Sequence, residues 1–277
     1  MSNYPSITLH HYTSGSGLLG IISSDSIWAT QIHYLNDSKE LIHAVGLAKS
    51  SLQELRKGRS GDKFAQICAA VSKQLDSISR LALYVACFSE VKDSLSQWRG
   101  YCPPSFGYSL GFDGDRLATI AKQQGFQLRP CIYEINEQLE NLRLWAYETV
   151  AALHLNCPEK EDPAEYTQRN SSIFLESFVA IAPFMKNHSF KDEKEWRMVG
   201  LVLSTDPKVN LRVGKTFLIP YVPIKLNSKE QTSPIWNICV GPTPHIELSL
   251  NSISHLLFQR VKIINGIEHT KIPYRDW

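Results

Sequence analysis

Strand-length apolar runs and helix-length amphipathic runs are interspersed along this chain of 277 residues, with no strict β-α-β rhythm. That pattern constrains the fold more than any motif. LALYVACFSE (81–90), FGYSLGFD (106–113), RPCIYEI (129–135), EWRMVGLVL (195–203) and IWNICVG (235–241) have the length and composition of strands. KTFLIPYVPIKL (215–226) does too, and its two prolines predict an edge position. VKIIN (261–265) reads as a last short strand. Helical patterning fills GLLGIISS, the stretch after YLND (34–37), about 62–80, GDRLATIAKQQG up to Gly125, and LSLNSISHLLFQR (248–260). The middle, about 137–187, is helical throughout. No glycine fingerprint follows the first strand, SITLHHYTS, so a doubly wound dinucleotide fold is not expected. The expectation is an α+β fold: a single compact mixed-sheet domain over 1–277 with a helical insertion in the middle.

Composition narrows the function classes. A net charge of +2, with no dense Lys/Arg stripe, argues neither for nor against nucleic acid. The six cysteines form no CxxC pair and no zinc-type spacing. No apolar run reaches the roughly 18 residues of a membrane helix, and the N-terminus shows no signal-peptide pattern. A cytosolic protein without a membrane partner is therefore expected. Its oligomeric state is left open.

GxSxG, HExxH, Walker and EF-hand patterns are absent, so the candidate chemistry rests on four polar clusters. In HHYT, His10 and His11 point to opposite faces of one strand, and Tyr12 follows. In YLND, Asn36 and Asp37 stand at a helix start. In FSEVKDSLSQWRGY, Ser89, Trp98, Arg99 and Tyr101 crowd a turn, where an aromatic ring can stack a planar group while arginine pairs with phosphate. The fourth is 191–197, six of whose seven residues are charged. An extended backbone there puts Glu193, Glu195 and Arg197 on one face, a set suited to orienting one carboxylate.

Together, LHHYTS, GIISSDSIWAT, YLND, CFSE, DSLSQWRGY, GYSLGFD, FKDEKEWRMV, CVGP and IPYR resemble a bacterial family catalogued only as a domain of unknown function, number 2971 in its series. These motifs run from Leu9 to Arg275 and skip the helical middle. More distantly, the opening strand-helix-strand is similar to ADP-ribosyltransferase folds, which place a His or Arg on the first strand, a Tyr or Ser on a middle strand and a Glu on a later one. This resemblance implies NAD as substrate. His11 would bind the adenosine ribose or phosphate, with Tyr12, Asn36 and Trp98 nearby. Tyr101 or Tyr108 would stack on nicotinamide, and Glu193 or Glu195 would steady the oxocarbenium-like transition state. Arg99 or Arg197 would hold the pyrophosphate. The Ser-Thr-Ser triplet of the arginine-type transferases is missing.

The resulting expectation is an ADP-ribosyltransferase or NAD glycohydrolase, of the kind found among toxins and antiphage effectors, with a nucleic acid or protein as acceptor. Its main support would be the first strand and the Glu195 strand lying as neighbours, with His11 and Glu195 sharing a pocket. Two alternatives stand beside it. One is a sensor that binds a small-molecule nucleotide without turnover. The other is a metal-dependent nucleic-acid-processing enzyme with Asp37, Glu40, Asp192, Glu193 and Glu195 as oxygen ligands.

Overall fold

A computed structural model describes residues 6–35, 38–59, 61–102, 106–214, 216–226, 233–260 and 265–273. Its elements in chain order are β1 (Thr8–Thr13), α1 (Gly15–Ser24), β2 (Ser26–Gln31), α2 (Ser38–Arg56), α3 (Lys63–Gln74), β3 (Leu83–Ser89) and α4 (Leu95–Tyr101). There follow β4 (Tyr108–Asp113), α5 (Gly114–Gln123), β5 (Gln127–Pro130), α6 (Ile135–Asn156), α7 (Pro163–Arg169) and α8 (Ser171–Val179). The chain continues with β6 (Glu195–Leu201), β7 (Asn210–Val213), β8 (Leu218–Lys225), β9 (Ile235–Val240), α9 (Ile246–Arg260) and β10 (Ile267–His269).

Two compact units result. The first, residues 1–31, 83–130 and 191–277, holds a single open mixed sheet of ten strands. Its order is β10-β9-β4-β1-β3-β2-β8-β7, with β6 on β3 and β5 on β6. All of these pairings are antiparallel except β9 with β10. One sheet face is the core: Leu9, Ile27, Ala86, Phe88, Leu110, Phe112 and Met198 are all buried there. Period-2 alternation and register put them on that face, and Phe88 meets Phe112 edge-on at 5.9 Å. Each large side chain so buried contributes roughly 1.5–3 kcal/mol.

The second unit, residues 32–82 and 131–190, is helical. It takes in more than the expected 137–187, because α2 and α3 belong to it. Asp62 caps α3 by accepting from the Ala65 N–H at 2.7 Å. Asp162 does the same for α7, whose first turn opens on Pro163. Inside, Trp145 packs edge-on against Phe178 at 4.9 Å, and buried Lys186 lies 3.7 Å from Glu40.

Two strand expectations need correction. β8 is not an edge strand, since β2 and β7 flank it. Its prolines are tolerated because each missing donor points where a neighbour has ended. The Leu226 N–H reaches Asp25 on the β2 side, so even-numbered positions face β2; Pro220 lies beyond the last β2 pair, Thr30 with Tyr221. Pro223 faces the other way, past the end of β7. The strand expected at 129–135 lies at Gln127–Pro130 instead. Ile132 has left the sheet and exchanges backbone bonds with Phe184 and Lys186. Most of 261–265 lies outside the described residues, and the final strand is Ile267–His269.

Gly111 of β4 tests the packing between β1 and β9. A Cβ there would lie 2.0 Å from the Asn237 amide oxygen and 3.0 Å from the His10 ring. Gly111→Ala is expected to lower unfolding free energy by about 1–3 kcal/mol, read as a reduced midpoint in urea denaturation with unchanged slope.

Candidate functional site

A strand has two hydrogen-bonding edges, and β3 has three neighbours. β6 takes one edge along Leu83–Ser89. The other edge carries β2 at Tyr84 and Val85 and β1 at Ser89, so the sheet forks beside residues 86–88. The His11 ring closes the fork. Its Nδ1 lies 2.9 Å from the Cys87 carbonyl, in place of the ladder bond a neighbouring strand would make. With a carbonyl as partner, Nδ1 carries the proton. Burial pushes the ring's pKa below its ordinary value, and the bond to Cys87 opposes that only in part.

Beside the fork is a pocket of about 320 Å³, its open mouth included. β1 lends it His10, His11 and Tyr12, and β3 lends Cys87 and Phe88. Gln97 and Tyr101 come from α4, and Glu193 and Glu195 from the entrance to β6.

Register aligns three of the nearby polar residues. His10 pairs with Ser89, and Ser89 pairs with Glu195. Directly opposed residues project to the same face, so His10, Ser89 and Glu195 form a row across three consecutive strands. Glu195 is only 4% exposed, and its Oε1 sits 2.8 Å from Nε of Arg197, two residues along on the same face. The Ser89 hydroxyl donates to the Glu193 carbonyl at 2.6 Å and accepts from the Val91 N–H at 3.0 Å. It thereby fixes the turn that presents both acids. Burial, reinforced by the Lys92 ammonium, lowers the His10 pKa to about 4, and Glu268 opposes the shift. The ring is neutral at pH 7, with Nδ1 3.4 Å from the Ser109 hydroxyl.

Several expected placements change. β1 and β6 are not neighbours, because β3 lies between them, so the likeness to ADP-ribosyltransferase folds loses its main support, although His11 and Glu195 line one pocket. His10, rather than His11, shares the Glu195 face; His11 projects with Leu9 and reaches the pocket through the fork. Glu193 does not extend β6. It ends a 3-10 turn, His188–Glu193, and Lys194 follows at φ 42°, so extension begins only at Glu195. Glu193 still reaches the pocket from that turn.

Of the two tyrosines, Tyr101 stands at the pocket, 40% exposed. Tyr108 is buried and projects with Leu110 and Phe112 to the opposite face. Trp98 packs edge-on against Tyr12 at 4.7 Å and donates to Asp93 at 2.7 Å, so it braces the wall from behind. The Tyr12 hydroxyl donates to the Val91 carbonyl at 2.6 Å. Arg99 lies on the exposed side of α4 and does not line the pocket. Asn36 and Asp37 lie outside the described residues. Glu40 of the oxygen-ligand alternative faces Lys186, and among the described residues no group of three His, Cys, Asp or Glu is placed to hold a metal ion. Gln97 and Cys87 escaped the sequence reading. Each is an ordinary residue type in a packed segment, and only the fork gives either one a pocket to face.

Residues 97–198 match a family model. Its description is a protein of unknown function, DUF2971. The DUF2971 span holds Gln97, Tyr101, both acids and Arg197, but neither histidine. It is narrower than the run of motifs from Leu9 to Arg275, and it takes in the helical middle that those motifs skip. No curated protein and no solved structure matches the chain. No helix among the described residues is long and apolar enough to cross a membrane.

Two measurements probe this electrostatic arrangement. Removing one partner of a buried ion pair strands the other, so Arg197→Ala is expected to cost about 3–5 kcal/mol in chemical denaturation. His10 has a folded pKa of about 4 against an ordinary 6.5, so between those values the unfolded chain binds the extra proton. Its contribution is complete above pH 6.5 and is lost as pH falls toward 4, about 3 kcal/mol in all. His10→Gln should flatten the stability-pH profile across that window, and an unchanged slope would mean the ring is not buried neutral.

Proposed function

We propose that the pocket cleaves the N-glycosidic bond of NAD and passes ADP-ribose to a nucleic-acid or protein acceptor, or to water. The observation that carries the reading is the His10–Ser89–Glu195 row, with its carboxylate clamped by Arg197. Breaking the bond between ribose C1′ and the pyridinium nitrogen sends the electron pair to nicotinamide, which leaves neutral. Positive charge develops on C1′ and the ring oxygen. A fixed carboxylate in a water-poor site stabilises that charge, and Glu195 needs no reorganisation because Arg197 already holds it. The acceptor oxygen then bonds to C1′, and its proton passes to Glu193, the half-buried acid at the same pocket.

The other groups fit the substrate. Tyr101 at the mouth supplies a ring face for nicotinamide, and Gln97 supplies amide donors and an acceptor for its carboxamide. Neutral histidines add no positive charge beside the developing cation. The pocket is open at Tyr101, so the nicotinamide-riboside end would sit at its mouth and the rest of the dinucleotide outside.

The test is nicotinamide release, followed by mass, from NAD incubated with purified protein, alone and with DNA, RNA or protein acceptors. Glu195→Gln should cut release by about 10²-fold or more while NAD binding changes little. If NAD raises the melting temperature and stays intact in every condition, the protein is a sensor and the transfer reading fails.

A further inference from the structure

The face that carries Glu195 continues across the other arm of the fork. Thr30 of β2 pairs with Val85, four residues from Ser89 along β3, so Thr30 and Glu195 project to the same side. Tyr221 pairs with Thr30, and Asn210 with Tyr221; Arg212 therefore also projects to this face. Its Nη2 donates to the Thr30 hydroxyl at 3.1 Å, which stretches the side chain across β8. Trp28 and Tyr221 stack at 4.5 Å on the same face and limit where the guanidinium can go.

Among the described residues no carboxylate pairs with Arg212, and its Nε is buried without a hydrogen-bond partner. A guanidinium whose Nε is out of water, with no bond to it and no counter-charge among the described residues, is a costly arrangement. An arginine that serves only to cover apolar surface keeps its head in water. Arg212 is part-buried with its Nε out of water, and burial lowers its pKa.

We infer that Arg212, steadied by Thr30, is an anion subsite that receives a phosphate group on the same sheet face as the pocket. Guanidinium suits this ligand because its fork of N–H donors matches phosphate oxygens. Thr30 and Glu195 are separated by four residues along β3 and two strand spacings, about 16 Å. The subsite therefore lies about that far from the riboside pocket along the same face. Two sources supply the same chemistry: a phosphate carried by the pocket's own nucleotide, or free phosphate. The subsite depends on the NAD reading only for that carrier, since phosphate capture by Arg212 requires no glycosidic cleavage.

The experiment is calorimetric titration of wild type, Arg212→Gln, Arg212→Lys and Glu195→Gln with inorganic phosphate, NAD and NADP. Wild type is expected to bind phosphate, and Arg212→Gln to lose about tenfold or more in affinity. Arg212→Lys should retain part of it, and Glu195→Gln all of it. A preference for NADP over NAD that disappears in Arg212→Gln would place the phosphate on the nucleotide. Weakening for inorganic phosphate alone would make it free phosphate. Equal binding of all three ligands to wild type and to Arg212→Gln, with unchanged melting temperatures, overturns the subsite. Failure of nicotinamide release would leave these titrations unaffected.

Discussion

The sheet depends on β3 having only two hydrogen-bonding edges for three partners. β6 occupies one edge in full, so β1 and β2 must share the other, and they can do so only by diverging. The divergence leaves the Cys87 carbonyl without a strand to receive it. An unpaired buried carbonyl costs free energy comparable to a lost hydrogen bond, and the His11 ring supplies the missing donor. The pocket follows from the same fork, because two strands that separate create concave space in a surface otherwise closed by pairing.

Three of the groups at the pocket are held by neighbours outside its lining. Arg197 fixes Glu195, Ser89 fixes the turn bearing Glu193, and Trp98 braces Tyr12. The arrangement is rigid where charge matters and open at Tyr101. A clamped carboxylate is a weak contributor to stability, since its desolvation offsets much of the attraction. Its value lies in orientation, which is what a reaction that develops positive charge requires. The opposite imbalance occurs at Arg212, whose buried Nε has no partner and whose guanidinium meets no acid among the described residues. Carboxylate at one end and guanidinium at the other give this sheet face the polarity of a ligand with a cationic ring and an anionic tail.

Local sequence rules located most elements. Alternation marked β1, strand-length runs and composition marked β3, β4, β6 and β9, and Gly125 marked the end of α5. The rules failed where backbone bonds left the expected ladder. RPCIYEI has strand composition, but Ile132 bonds to Phe184 and Lys186 instead of continuing β5. At the site, the acid cluster, Arg197 and Tyr101 were legible as charged or aromatic residues at element ends. The choice between His10 and His11 was not. It turns on which of two consecutive side chains faces Ser89, and that is a matter of register with a strand some eighty residues away.

The amino-acid sequence by itself determined the alternation of strands and helices, the caps at Asp62 and Asp162, and the pairing of Glu195 with Arg197. All of these act within a few residues, through backbone geometry and short-range hydrogen bonding. Tertiary structure alone decided that β3 would separate β1 from β6, and that Glu193 would reach the pocket from a turn. It also decided that Thr30 and Glu195 would share a face. Those outcomes depend on which strands exchange hydrogen bonds and in what register, and a strand's own residues specify its two faces without naming its neighbours.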